Sequence, residues 1–179
     1  LKQGSTYELE KKYYIHLVRV MRLKVGDQVS LFNNTSGEWK SEIVDIKNNF
    51  LIAKTISQVS PPHAETSIDL MFSPIKYQNS ESVIRQSTEM GIRSIFPTIF
   101  KRTINTKINL TKFNTYAIGA AQQSERLSIP NIHDLNDLKN QSKIISSKTI
   151  LMFDENLKGI HLSKAKIESN SEILVVIGP

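Results

Sequence analysis

The chain of 179 residues contains no cysteine, which excludes a disulfide framework, a thiolate metal site and a catalytic thiol. Its apolar stretches all fall well short of the roughly 20 residues that a helix needs to cross a bilayer. Glycine is also scarce, with 7 residues in all, and this leaves little room for a glycine-rich phosphate loop. The length permits one large domain or two small ones, with enough core to fold without cross-links.

The charged residues are 23 basic and 17 acidic, which gives a net charge of +6. A positive excess favours a polyanionic partner such as RNA, DNA or a membrane surface, and a merely soluble basic protein is the alternative. The four histidines do not show the spacing of metal ligands, so we expect no metal. The lack of cysteine is compatible with a cytoplasmic protein.

The first 60 residues predict short β-strands. Alternating apolar patterns separated by turn residues indicate strands over 28–32, 38–46 and 50–56, which favours a small β-barrel. A short helix is predicted over 16–23, before the first of these strands. Pro61 and Pro62 cannot continue a helix or a central strand, so we expect a domain boundary there, with domains of residues 1–64 and 65–179.

Beyond the boundary, strands and helices alternate, which predicts an α/β domain with a parallel sheet covered by helices. We expect one helix to start near Asn79 or Ser80 and to end at Gly91, with Val83, Ile84, Ser87 and Met90 on its inner face. A second helix should bury Leu110, Phe113, Ala117, Ala120 and Ala121. Residues 139–148 are polar and predict a loop. The strands are predicted at 68–72, 94–96 (stopped by Pro97), 149–153 and 173–177.

The last predicted strand runs directly into Gly178 and Pro179. In open α/β sheets, ligands bind beyond the carboxyl ends of the strands, and glycine there lets a ligand approach the backbone. This pattern favours a cofactor site at the end of the chain, although an ordinary turn after a strand has the same residues.

Two further groups of residues suggest binding. Arg19, Arg22 and Lys24 form a basic cluster, and guanidinium groups suit phosphate oxygens; a solvated helix face is the alternative. A second group follows predicted helix and strand ends and contains Glu89, Arg102, Gln123 and Arg126. Gln123 could hydrogen-bond a base edge, while helix capping and ordinary surface charge are the alternatives.

These segments resemble the bacterial 16S rRNA uracil-N3 methyltransferases of the SPOUT class over nearly the whole chain. The family segment His-Leu-x-x-Val-Leu-Arg-Leu-Lys-x-Gly-Asp is similar to residues 16–27. A Glu-Leu-Gly-Val segment corresponds to residues 89–92, followed by Pro97 and Arg102. The segment Ala-Ala-Glu-Gln-Ser-x-Arg corresponds to residues 120–126, and Ile177-Gly178-Pro179 matches the beginning of a glycine-rich family loop. The stretch 102–110 is shorter than in the family, and Lys101 and Gln122 stand where glutamates are common.

The resemblance implies a PUA-like β-barrel followed by an α/β SPOUT domain with a trefoil knot, whose knotting segment is absent from this chain. It also implies S-adenosylmethionine as cofactor, 16S rRNA of the small ribosomal subunit as partner, a homodimer and a cytoplasmic location. The reaction would be transfer of the methyl group to N3 of a uridine. A non-catalytic RNA-binding protein with a degenerate SPOUT domain and a SPOUT enzyme with another RNA target remain the alternatives.

The resemblance also implies roles for residues. Catalytic candidates are Arg102, for charge stabilisation, and Glu89, as a base or as a structural helix-end carboxylate. Expected cofactor contacts come from Met152, Phe153, Ile177, Gly178 and Pro179. Expected RNA contacts come from Arg19, Arg22, Lys24, Lys76, Gln123 and Arg126.

Overall fold

The computed structural model describes residues 1–62, 66–153, 159–168 and 171–178, and of Tyr77 and Gln78 the backbone. The chain divides into two compact units, Leu1–Ala64 and Glu65–Pro179. Pro179 lies outside the described residues. No described helix has the length and apolar character needed to cross a membrane.

The first unit contains a four-stranded antiparallel sheet in the order β1-β4-β3-β2. Buried and exposed residues alternate along its strands, so one face of the sheet is buried around Ile43, Leu51 and Ala53. This is the pattern of an antiparallel sheet with one face in solvent. The three predicted strands are present, and the last of them is four residues longer than predicted. The strands are β1 (Thr6–Leu9), β2 (Gln28–Asn33), β3 (Gly37–Lys47) and β4 (Phe50–Ser60).

The helical segment of this unit starts earlier than predicted. Helix α1 (Lys11–Tyr14) continues as a π-helix over Ile15–Val20 and is capped by Met21. Arg22 then takes the left-handed conformation with φ of 60°, which ends the helix. The predicted helix over 16–23 was therefore wrong in both bounds, and Arg19 and Arg22 do not share a helix face.

The second unit is built on a parallel sheet in the order β7-β6-β5-β10-β9, and β8 extends the β7 edge by pairing with β6. Helices and loops cover both faces of the central strands, and most residues of those strands are therefore apolar, with buried Asp69 and Thr98 as exceptions. The α/β prediction is confirmed. The strands are β5 (Ile68–Phe72), β6 (Ser94–Ile99), β7 (Asn131–Ile132), β8 (Asn136–Asp137), β9 (Thr149–Met152) and β10 (Ile173–Ile177).

Two long helices, α2 (Tyr77–Met90) and α3 (Leu110–Gln123), cover one face of this sheet. Phe113 and Ala117 pack with strand residues there, and Ala120 and Ala121 are also buried, as the periodicity of this helix predicts. The short helix α4 (Ser142–Ser146) covers the opposite face with Ile144 and Ile145.

Three local predictions for this unit were wrong. Strand β6 continues through Pro97 instead of ending there. On one side its partner strand changes at this point from β7 to β8, so no ladder hydrogen bond from residue 97 is needed and a proline is tolerated. Met90 is 76% exposed, because it stands in the last turn of α2, and Thr88 is buried instead. Residues 138–146 form a 3₁₀ turn and α4 rather than a loop.

Candidate active site

The carboxyl ends of three neighbouring strands meet at one edge of the parallel sheet. The amide of Ser73, just after β5, donates to the carbonyl of Ile177 at 3.0 Å, so β5 and β10 stay paired to their ends. A Cβ added to Gly178 would lie 3.3 Å from three carbons of the Phe100 ring, which follows β6. The backbone of Gly178 thus lies against this ring, and any larger residue would have to displace it.

Hydrogen bonds fix the loop that leaves β6 at this edge. Thr103 Oγ1 accepts from the amide of Phe100 and shares a hydrogen bond with Ser73 Oγ, both at 2.8 Å. The amide of Thr103 donates to the Phe100 carbonyl at 3.1 Å, which closes a tight turn. Asn105 Nδ2 donates to the carbonyl of Ile75 at 3.0 Å. The loop is therefore anchored to the residues that follow β5.

Of the predicted cofactor residues, Met152, Phe153, Ile177 and Gly178 lie together at this edge. Met152 is paired in register with Val176, so Phe153 follows beside Ile177 at the ends of adjacent strands. The side chains of Met152, Phe153 and Ile177 are all exposed. Met152 and Phe153 also line a groove of about 810 Å³ beside β9.

Two predicted polar residues stand at the same edge. Arg102 occupies the turn after β6, and Lys76 is the N-cap residue of α2, three residues after Ser73. Both are exposed. The edge thus combines apolar side chains and bare backbone on one side with cations on the other, an arrangement that can hold a largely apolar ligand next to an anionic one.

The other three predicted residues of this unit lie at the opposite, amino edge of the sheet. Glu89 is in the last turn of α2, Gln123 ends α3, and both helices run antiparallel to the strands. Arg126 Nη1 donates to the carbonyl of Glu89 at 3.1 Å. A Cβ on Gly91, which has φ of +81°, would overlap Arg126 Nη2. Arg126 therefore caps the carboxyl end of α2.

A cluster of four charges, which we call the ion tetrad, also lies at the amino edge. It consists of Asp69, Arg93, Lys148 and Glu172. Lys148 Nζ lies 2.6 Å from both carboxylates, and Arg93 Nη2 lies 2.9 Å from Asp69 and 2.8 Å from Glu172. The tetrad joins the starts of β5, β6, β9 and β10.

The tetrad lowers the pKa of both acids. Burial raises the pKa of Asp69, but hydrogen bonds from Arg93 and Lys148 outweigh this, and the net pKa is lowered. Hydrogen bonds from the same two cations lower the pKa of Glu172 to about 2. Sequence reasoning missed the tetrad, although each member stands at or just before the start of a predicted strand.

In the first unit, Arg19, Arg22 and Lys24 are all exposed. The Arg19 guanidinium lies 5.8 Å from the centre of the Tyr14 ring, and the amide of Lys24 donates to Asp27 Oδ2 at 2.7 Å. The cluster presents its cations to solvent beside the exposed side chains of Val20 and Met21. Among the described residues, no group of His, Asp or Glu side chains could hold a metal ion.

Known proteins share this sequence pattern and this fold. The profile of an RNA methyltransferase domain matches residues 62–179, and that of an RNA methyltransferase PUA domain matches residues 14–56. Ribosomal RNA small subunit methyltransferase E of Rickettsia conorii is 30% identical over 183 residues, which cover 100% of this chain and 74% of the relative. The enzyme of the same name from Bacillus subtilis is 21% identical and covers 100% of this chain and 75% of its own length. The chain therefore belongs to the RNA methyltransferase family, and the resemblance stated above is confirmed.

A solved structure shows the same fold. Ribosomal RNA small subunit methyltransferase E of Neisseria gonorrhoeae, crystallised with S-adenosyl methionine, superposes with a TM-score of 0.82 at 18% identity. The superposition covers 99% of this chain and 76% of the Neisseria chain. A PUA-type unit followed by an α/β methyltransferase unit is thus the architecture of this protein.

Proposed function

We propose that this protein transfers a methyl group from S-adenosylmethionine to N3 of a uridine in the 16S rRNA of the small ribosomal subunit. One observation carries the proposal: four predicted cofactor residues, Met152, Phe153, Ile177 and Gly178, meet at the carboxyl edge of the sheet beside Arg102. The names of the curated relatives support rRNA of the small subunit as the substrate.

The residues at this edge suit the cofactor. Exposed Met152, Phe153 and Ile177 can cover its apolar surface, and Gly178 leaves its backbone open to hydrogen bonds. When bound, the cofactor supplies a methyl group on a sulfonium, which is already a good leaving centre. What is left for the protein is to hold uracil N3 in line with that methyl group.

Arg102 is the charge-stabilising group in this proposal. Uracil N3–H is largely protonated at neutral pH, so its proton must pass to a base or to solvent, and negative charge develops on O2 and O4 as it does. The guanidinium of Arg102 can donate to one of these oxygens. Glu89 stays a prediction as the base. It lies at the opposite edge of the sheet from Arg102 within one chain, and methyl transfer by Glu89→Gln tests whether it takes part.

RNA binding would use both units. Arg19, Arg22 and Lys24 in the first unit, and Lys76 at the active edge, are exposed cations that can contact phosphates. Gln123 and Arg126 are placed at the amino edge, where Arg126 already caps α2, so contacts there would involve RNA far from the reacting base. Such contacts should make binding fall steeply with salt.

The finer architecture is also part of the proposal. We propose that the strands of residues 1–64 close into a PUA-like barrel and that residues 65–179 belong to a SPOUT domain with a trefoil knot. A homodimer in the cytoplasm completes it. The strand orders of both units and membership of the family support the two domain types.

The test is methyl transfer from labelled S-adenosylmethionine to small ribosomal subunits that lack the modification, with naked 16S rRNA in parallel. Label at N3 of a single uridine is the expected result. Label on another nucleotide would show that the enzyme has a different RNA target. Absence of label, with salt-sensitive RNA binding retained, would favour a non-catalytic RNA-binding protein.

The active edge is tested by Arg102→Gln, which should lower kcat by about 10²-fold. Arg85→Gln is the matched control, because Arg85 lies on α2 in a surface pair with Glu81, and such pairs contribute little. Equal activity of the two variants would remove Arg102 from the mechanism.

A further inference from the structure

Ile104, in the loop between β6 and α3, is 98% exposed, the highest value of any large apolar residue among the described parts of the chain. Single exposed apolar residues are common on protein surfaces and by themselves mean little. Ile104 differs because its position is fixed. The residues on either side of it, Thr103 and Asn105, are bonded to the segment after β5, so the loop holds this side chain out in solvent at the active edge.

The surroundings of Ile104 are strongly positive. Lys101, Arg102 and Lys107 flank it and are exposed, and the sequence has no acidic residue between Glu89 and Glu125. An apolar tip among cations suits a ligand that has both anionic groups and flat apolar surfaces. Single-stranded nucleic acid has this combination, with phosphates on one side and base faces on the other.

The reaction itself requires a base that is neither paired nor tightly stacked. Uracil N3 lies in the Watson–Crick edge, so it is inaccessible in a paired base and restricted in a stacked one. Enzymes that act on such atoms take the base out of the stack, and apolar side chains inserted between bases help to keep the stack open.

We propose that Ile104 inserts beside the target uridine and holds it out of the base stack, while Lys101 and Lys107 contact the flanking phosphates. This inference rests on the proposed function. Ile104 is in this sense a positioning residue, since it acts on the neighbouring bases and not on the reacting atoms. Its side chain makes no contribution to the core, so its removal leaves the fold and the cofactor contacts in place.

The test compares Ile104→Ala and Ile104→Leu with the unchanged protein on small ribosomal subunits lacking the modification. Ile104→Ala should lower kcat about tenfold with little change in KM, because phosphate contacts still bind the RNA. Ile104→Leu should restore most of the rate, since it keeps the apolar volume. Affinity for S-adenosylmethionine and the melting temperature should be unchanged in both variants.

Met90→Ala is the matched control, because Met90 is 76% exposed at the opposite edge of the sheet, and its kcat should equal that of the unchanged protein. An unchanged kcat in Ile104→Ala would overturn the proposal while leaving the proposed function intact. If the unchanged protein transfers no methyl group, both fall. Sedimentation supplies a further outcome: dissociation of a dimer by Ile104→Ala would assign Ile104 to an interface between copies instead.

Discussion

Replacement of Asp69 by asparagine should strongly destabilise the second unit. Asp69 is 1% exposed and accepts from Arg93 and Lys148, which are 25% and 10% exposed. Asparagine keeps the shape but removes the charge and turns an N–H₂ group toward one of the cations. Loss of one partner of a buried ion pair costs about 3–5 kcal/mol. Glu172 remains and is half exposed, so we expect the lower value, about 3 kcal/mol.

Urea unfolding and calorimetry measure this change, and a loss of about 3 kcal/mol should lower the melting temperature of such a unit by about 10–15 °C. Hydrogen exchange then locates it, because amides of β5 and β10 should exchange faster while those of β3 and β4 serve as an internal reference. Asp45→Asn is the matched control, since Asp45 forms a surface pair with Lys47 at 3.4 Å and should change stability by less than about 0.5 kcal/mol. Equal effects of the two variants would refute the reasoning.

The remaining predictions concern acid, a cap, a strained residue and the cofactor edge. Because folding lowers the pKa values of Asp69 and Glu172, their stabilisation is complete above their unfolded pKa values, near 4, and is lost as the pH falls through their lowered values, which for Glu172 is about 2. Acid titration of the unfolding free energy should show this loss, and Asp69→Asn should flatten it. Gly91→Ala should destabilise α2 by about 1–2 kcal/mol because of the positive φ of Gly91 alone. Urea unfolding should still show this loss when Gly91→Ala is made in an Arg126→Ala background, in which the new methyl group no longer overlaps the arginine side chain. Arg22→Gly should leave the first unit as stable or up to about 1 kcal/mol more stable, yet reduce the slope of RNA affinity against salt by about one unit in filter binding. Gly178→Ala should weaken binding of S-adenosylmethionine in calorimetry, because the new methyl group meets the Phe100 ring at 3.3 Å; unchanged affinity would separate this edge from the cofactor.

Local patterns predicted most of the elements, since helix α3 and strands β5 and β10 follow directly from periodicity and apolar runs. Errors arose where neighbours overrode the local preference. Pro97 was expected to stop β6, but a proline is tolerated where the partner strand changes. Met90 has the right spacing to face the core, yet in the last turn of α2 its side chain is 76% exposed.

The candidate site was predictable only in part. Parallel strands share one carboxyl edge, so Phe153 and Gly178 could be placed together from the strand assignments alone. The direction of the helices places Glu89 and Arg126 at the other edge, although the motif match had grouped them with Arg102. The bonds that anchor Thr103 and Asn105 join segments about thirty residues apart, and no local pattern reports such contacts.

The ion tetrad bears on how the sheet finds its register. Strands β5, β6, β9 and β10 come from distant parts of the sequence, and sheets of this kind fold slowly because long loops must close first. Apolar strands with similar residues can slide past one another, and a slip by one residue turns every side chain to the other face. In a slipped sheet, the buried carboxylate of Asp69 would lose its contacts with Lys148 and Arg93, which is strongly destabilising. The ion pairs of the tetrad therefore favour the native strand register over registers shifted by one residue.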